Sequence, residues 1–181
     1  MSMNQDRRNF LKSSTTAALG ISTVPLLKAK AGRKYKTALV GSGWWGMNIL
    51  REAIAAKQSK VVALCDVHAH PMEVSAEEVT DLTGDNPRKY KDYREMLAKE
   101  KPEIVIVATP DHWHALPAIA SLKAGAHVFL EKPTGHTIRE SRAMTDAAKA
   151  ADRVVQVGLH RRVGPHHVSG MDFLKSGKVG D

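Results

Sequence analysis

One cysteine is too few for an internal disulfide or for a cysteine-pair metal site. Cys65 sits inside an apolar run, which reads as a buried strand thiol. Aromatic residues are sparse, 5% of 181, and none interleave with a basic run. The formal charge of +8 therefore lacks the pattern of a nucleic-acid-binding surface, and no nucleic-acid partner is expected. Arg7, Arg8, Lys12, Lys28 and Lys30 against Asp6 place +4 of that charge in the first 31 residues. The apolar stretch at residues 13–27 carries Ser and Thr and is shorter than the roughly 20 apolar residues a bilayer span needs. Internal repeats and low-complexity segments are missing. What remains is an ordinary globular mixture, 43% hydrophobic and 25% charged. It is enough to bury one core and too apolar for general disorder.

The first 31 residues read as an address. Arg7-Arg8-Asn9-Phe10-Leu11-Lys12 precedes the mild apolar stretch, and Ala29-Lys30-Ala31 supplies a small-x-small cleavage pattern. The paired arginines before Phe-Leu-Lys resemble the twin-arginine export motif, with Asp6 where that motif usually has Ser or Thr. The implied partner is the twin-arginine export machinery, and the implied location is the periplasm or another exported compartment. That route carries proteins already folded, so a cofactor made in the cytoplasm is loaded before export.

From residue 37 onward, short apolar runs alternate with amphipathic segments. Strands are expected at 37–40, 61–65, 88–90, 104–108, 127–130 and 154–157. Helices are expected at 45–56, 73–82, 93–99, 116–124, 138–151 and 166–175. The second and fourth runs, Val61-Val62-Ala63-Leu64-Cys65 and Ile104-Val105-Ile106-Val107-Ala108, are continuously apolar, as parallel strands covered on both faces are. The expected fold class is α/β, a doubly wound parallel sheet of the Rossmann type built from right-handed βαβ units. The domain reading is a signal over 1–31, a dinucleotide-binding domain over 32–160, and the start of a linker or further domain over 161–181.

Gly41-Ser42-Gly43-Trp44-Trp45-Gly46 is G-x-G-x-x-G. The motif follows one expected strand and opens one expected helix, the context that gives it meaning. Gly41 serves the tight turn, Gly43 lets a pyrophosphate approach the backbone, and Gly46 lets helix and strand pack closely. Trp44 and Trp45 occupy the variable positions and count among the cofactor-binding candidates. Asp66 lies 20 residues past Gly46, where a carboxylate accepts hydrogen bonds from an adenosine ribose. A 2′-phosphate there would meet like charge, and Val67 and His68 bring no arginine, so NAD is expected rather than NADP.

Three further stretches follow the later strands. They are Thr109-Pro110-Asp111-His112-Trp113-His114, then Glu131-Lys132-Pro133, then Val157-Gly158-Leu159-His160-Arg161-Arg162. In this order they resemble the Gfo/Idh/MocA family, which includes glucose-fructose oxidoreductase and inositol dehydrogenase. The resemblance runs from about Lys36 to Asp181. It implies hydride transfer between NAD and a sugar, polyol or related hydroxy compound. It implies Lys132 beside the reacting carbon as acid/base or electrostatic anchor, with His114 near the nicotinamide as a second catalytic candidate. Glu131 would lie on the nicotinamide ribose, and Pro133 would follow a cis bond. Thr109, Pro110 and His114 would line the cofactor; Gln156 would border it and Arg162 would face the substrate.

No metal is expected. His112 and His114 lie two apart at a helix start and point different ways, and His166 and His167 are adjacent. Family members add a second domain that covers the nicotinamide. The activity is therefore expected of a longer parent, a homo-oligomer, with this chain as its cofactor half. Two alternatives stand beside the dehydrogenase: an NAD-dependent glycosidase acting by transient oxidation and elimination, and a non-catalytic nucleotide-binding module. For the export signal, a fusion of residues 1–40 to a folded reporter is expected to reach the periplasm. Arg7→Lys with Arg8→Lys is expected to block it, and export that survives the double change would make the arginine pair a coincidence.

Overall fold

All six expected strands form, and all of them run parallel. The computed structural model describes residues 32–180; the export-signal reading lies outside them. In chain order the elements are β1 (Tyr35–Val40), α1 (Trp44–Ala55), β2 (Ser59–Cys65), α2 (Ala69–Thr83), β3 (Arg88–Tyr90), α3 (Tyr93–Glu100), β4 (Ile104–Val107), a 3₁₀ turn (Asp111–Trp113), α4 (Ala115–Lys123), β5 (His127–Leu130), α5 (Ile138–Ala151), β6 (Val155–Val157), α6 (His160–Val163) and α7 (Pro165–Lys175). The sheet order is β3-β2-β1-β4-β5-β6. The chain winds outward from β1 to β3, crosses back, and winds the other way from β4 to β6. That reversal puts the topological switch point between β1 and β4.

Side-chain alternation along the strands builds two cores. Ala38 and Val40 of β1 face Met96 and Leu97 of α3, Ala118 and Leu122 of α4 and Met144 of α5. Leu39, between them, faces Met47 and Leu50 of α1 and Met72 and Val79 of α2. β2 breaks the alternation. Its pairing with β1 skips a residue between Thr37↔Val61 and Ala38↔Ala63. This β-bulge at Val62 puts Val62 and Ala63 on the same core, while Val61 and Leu64 both serve the other. The bulge was invisible in a run of five apolar residues.

Most boundaries fall within a residue or two of those expected. α2 starts a full turn earlier than residue 73, because Pro71 sits in its first turn, where proline's missing N–H has no helical partner to lose. α6 was not expected as a helix; it is one turn long, too short to show any periodicity. Gly84 (φ +75°) and Gly125 (φ +86°) stop α2 and α4. A reciprocal capping box starts α5. Glu140 N–H donates to Thr137 Oγ1 (3.2 Å) and Thr137 N–H to Glu140 Oε2 (2.8 Å). The Thr137 N–H is the main cause that holds the Glu140 carboxyl below its usual range.

The α1 side of the sheet is helix-covered only over β1 to β3. Beyond α1, Ile104, Ile106, Phe129 and Gln156 line an open groove of about 760 Å³. Leu64→Ala, in the fully covered region, is expected to cost about 2–5 kcal/mol. Ile138→Ser, at a side chain 91% exposed, should change stability by less than about 0.5 kcal/mol. Chemical denaturation of the two variants checks the contrast; equal losses would mean that the core is misassigned.

Candidate active site

Because every strand is parallel, every strand's C-terminal end reaches the same edge. The backbone ladder carries on one residue past the strands. Gly41 N–H donates to Cys65 O (2.9 Å), Asp66 N–H to Tyr90 O (3.0 Å), Glu131 N–H to Val107 O (3.0 Å) and Gly158 N–H to Leu130 O (2.8 Å). Each residue singled out after a strand therefore starts from a backbone held by its neighbour strand.

The glycine loop is shaped by the absence of side chains. Gly41 has φ +91°, and a Cβ there would meet Ala108 O at 2.5 Å. A Cβ on Gly46 would fall on the Gly41 carbonyl oxygen and press on Leu39 Cδ1. A Cβ on Gly43 would meet nothing within 4 Å, so that side of the loop opens to the cleft. Met47 N–H makes the first helical bond of α1, to Gly43 O (3.0 Å). The amides before it precede the helical ladder and carry the helix's partial positive charge.

Asp66 locks this loop to the end of β2. Its Oδ2 accepts from Ser42 N–H (2.8 Å) and Ser42 Oγ (3.3 Å), and its Oδ1 accepts from His68 N–H (2.9 Å). Ser42 is buried, and its carbonyl accepts from Ser75 Oγ of α2 (2.8 Å). Ser42 and Ser75 were not foreseen as loop anchors; in the sequence, Ser42 only fills a variable position of the glycine motif. A bidentate pair, Arg51 to Glu78 at 2.5 and 2.9 Å, ties α1 to α2 nearby. It raises the guanidinium's pKa and lowers the carboxyl's, the hydrogen bond being the main cause in both.

Three hollows follow one another along the edge. The first, about 440 Å³, is lined by Asp66, Val67, Lys91, Tyr93, Arg94 and Trp113, with Thr109 and Pro110. The second, about 260 Å³, holds Gly43, Trp45, Gly46, Glu131 and Lys132, again with Thr109, Pro110 and His114. The third, about 450 Å³, holds Trp44, Trp45, Lys132, His160 and Arg162. Shared residues join them, Thr109 and Pro110 between the first two and Trp45 and Lys132 between the last two. The structure thus brings together Gly41, Gly43, Trp44, Trp45, Gly46, Asp66, Thr109, Pro110, His114, Glu131, Lys132 and Arg162. The His160 ring lies 5.4 Å from that of Trp45.

Gln156 is not brought into these three hollows. It sits mid-strand in β6, lines the sheet-face groove, and donates from Nε2 to Val157 O (3.0 Å). Val67 and His68 bring no arginine, as the sequence reads, but two other basic residues line the Asp66 pocket. Lys91 and Arg94 arrive from the β3–α3 connection, which lies far from Val67 and His68 in sequence but adjacent in the sheet. Arg94 is engaged with Asp92, Nε to Oδ1 at 3.0 Å.

His114 departs from its expected catalytic part. It is 1% exposed, and each ring nitrogen faces a backbone carbonyl, Nδ1 to Pro133 O (2.5 Å) and Nε2 to Thr109 O (2.8 Å). With both nitrogens engaged, the ring has no free atom for a reacting group. Glu131 is 3% exposed; its Oε2 accepts from Lys132 N–H (3.2 Å), and its Oε1 lies where a side chain on Gly158 would be. The Lys132–Pro133 bond is cis. Lys132 itself is exposed.

A dinucleotide fits this trough on three observations. The cradle at Gly43 is open to the cleft. The Asp66 carboxylate lines the first hollow from a fixed position. Thr109 Oγ1, between the first and second hollows, is the buried side-chain polar atom without a partner among the described residues.

Comparison with known proteins agrees. The family described as oxidoreductase family, NAD-binding Rossmann fold (GFO_IDH_MocA) matches residues 35–159. An inositol 2-dehydrogenase of Salmonella typhimurium is 31% identical over 147 residues, 80% of this chain and 43% of the relative. A glycosyl hydrolase family 109 protein of Shewanella baltica is 23% identical over 203 residues, 98% of this chain and 44% of the relative. Among solved structures, scyllo-inositol dehydrogenase of Lactobacillus casei with bound NAD(H) and scyllo-inositol superposes with a TM-score of 0.70 at 25% identity, covering 82% of this chain and 43% of that one. The chain spans a little under half the length of these relatives.

Cys65 ends β2 directly before Asp66. Burial, then the charges of Asp66 and Asp92, pushes its thiol up to about 12. The thiolate is the reactive form, so Cys65 is expected to resist a thiol-labelling reagent at pH 8 in the native protein and to react at once in denaturant. Rapid native labelling would contradict its placement.

Proposed function

Since the chain belongs to the NAD-binding Gfo/Idh/MocA oxidoreductase family, we propose that it forms the cofactor half of a dehydrogenase acting on a hydroxyl of a polyol or sugar. The observation that carries this reading is the position of Lys132, shared by the hollow that holds the glycine loop and the hollow that holds Arg162. Gly41, Gly43 and Gly46, with Trp44 and Trp45, form the pyrophosphate cradle. Asp66 takes the adenosine ribose hydroxyls, Thr109 and Pro110 line the middle, and Glu131 faces the second ribose. When bound, NAD supplies the two-electron acceptor.

The chain's own part in the chemistry is to place and move a proton. Oxidation of a carbinol requires its hydroxyl proton to leave, and Lys132 Nζ is the proton-transferring group at that point of the trough. Arg162 and His160, across the third hollow, orient the substrate's remaining hydroxyls. Catalysis at full rate needs the donor carbon held against the cofactor and water kept out. We assign that covering role to the length by which the relatives exceed this chain, in a parent that assembles as a homo-oligomer. Export through the twin-arginine route after cofactor loading completes the reading.

The glycosyl hydrolase family 109 relatives favour one alternative, glycoside cleavage by transient oxidation, elimination and re-reduction. The same trough serves both. Net accumulation of NADH with free polyols supports the dehydrogenase; glycoside cleavage with no net NADH supports the alternative.

Two outcomes are expected. Titration of the mature chain, starting after Ala31, should show tighter binding of NAD than NADP. Asp66→Ala should weaken NAD by about tenfold or more, the scale of a hydrogen bond to a charged group, and should relax the preference. Equal or tighter NADP binding by the parent chain, through Lys91 and Arg94, would overturn the Asp66 assignment. In a full-length parent, Lys132→Ala should lower turnover by about 10²–10⁴ and leave NAD affinity nearly unchanged. Loss confined to NAD binding would remove Lys132 from the proton path.

A further inference from the structure

We propose that His114 is a positioning residue, an imidazolium that donates from both ring nitrogens and clamps the Lys132–Pro133 turn to the end of β4. The inference rests on the reading above in one respect only, that Lys132 is the group being positioned.

The geometry is a bridge between two loops. Nδ1 lies 2.5 Å from Pro133 O and Nε2 lies 2.8 Å from Thr109 O. Both partners are carbonyl oxygens, which only accept. A neutral imidazole has one N–H and one lone pair. In either tautomer that lone pair would lie against an oxygen lone pair at hydrogen-bonding distance, at a residue only 1% exposed. The doubly protonated ring satisfies both carbonyls with charge-assisted bonds. The titratable side chains that share its hollow are Asp111 on the 3₁₀ turn and Glu131 and Lys132 after β5. Of these, Asp111 and Glu131 carry the charge opposite to that of an imidazolium, and Glu131 is buried as the ring is.

The consequence falls on Lys132. Its own N–H is held by the Glu131 carboxylate at 3.2 Å, and Glu131 N–H is held by Val107 O at 3.0 Å. On the other side, the carbonyl of Pro133 is held by His114. An exposed lysine thus projects from a backbone fixed on both flanks, one anchor on β4 and the other on the loop after it. That arrangement sets where Nζ can reach without touching Nζ.

The test is long-range ¹H–¹⁵N correlation of the histidine rings in the uniformly labelled 181-residue chain at neutral pH, with His114→Gln assigning the signals. It needs neither cofactor nor turnover, so it stands apart from the NAD titrations and its failure is distinct from theirs. Both His114 nitrogens are expected at protonated shifts; one unprotonated nitrogen overturns the clamp. Hydrogen exchange supplies the second arm. In His114→Gln the segment around Glu131 and Lys132 should exchange about tenfold or more faster, the scale of one lost charge-assisted bond, while β1 and β2 keep their protection. Unchanged exchange at that segment would contradict the proposal, and if the variant unfolds throughout, the ring shifts of the parent chain still decide it.

Discussion

The backbone of Gly46 lies against the carbonyl of Gly41, with no space between them for a single methyl group. That contact fixes how closely the first turn of α1 sits over the end of β1, and the rest of the cleft is measured from it. It brings Ser42 within reach of Asp66, so that a loop and a neighbouring strand end become one rigid piece. It turns the unpaired amides at the start of α1 toward the open side of Gly43. A Cβ at either glycine would have to push apart backbone from backbone, which tightly packed interiors accommodate poorly.

From that fixed corner the site is assembled by topology. The switch point between β1 and β4 leaves a crevice because the connections on its two sides leave in opposite directions. Thr109 and Pro110 enter the crevice from β4, and Glu131 and Lys132 enter one strand further out. The buried polar atoms along this route, Ser42, Glu131 and His114, are satisfied by the loops they join, which is how polar groups become tolerable at such depth. Thr109 Oγ1 is the exception, and its place in the middle of the trough fits a ligand partner.

Much of this was legible in the sequence because it is local or periodic. Apolar runs marked most of the strands, a glycine motif between a strand and a helix marked the loop, and the family resemblance of the motifs that follow the later strands marked Thr109, Glu131 and Lys132. What was not legible depends on non-adjacent strands. Lys91 and Arg94 reach Asp66 only because β3 pairs with β2, and no local pattern announces that neighbourhood. The bulge at Val62 hides in a run where every residue is apolar. His114 looked like a reactive group because its motif names a residue type and gives no bonding partners; its two carbonyl neighbours come from a loop five residues back and a turn nineteen residues on. Gln156 was placed at the cleft by its motif and went to the groove because it lies inside a strand, where the pleat decides the side.

The apolar groove beside α1 adjoins the trough along the strand ends, sharing Trp45, Glu131, His160 and Arg162 with it, and we assign the cofactor to the trough. The most direct measurement is a crystal structure of the chain grown with NAD. The account predicts the pyrophosphate over Gly43, the adenosine ribose hydroxyls on Asp66, and the nicotinamide end reaching Lys132. A dinucleotide lying in the groove over Ile104, Ile106 and Phe129, or one that leaves Asp66 untouched, would contradict it.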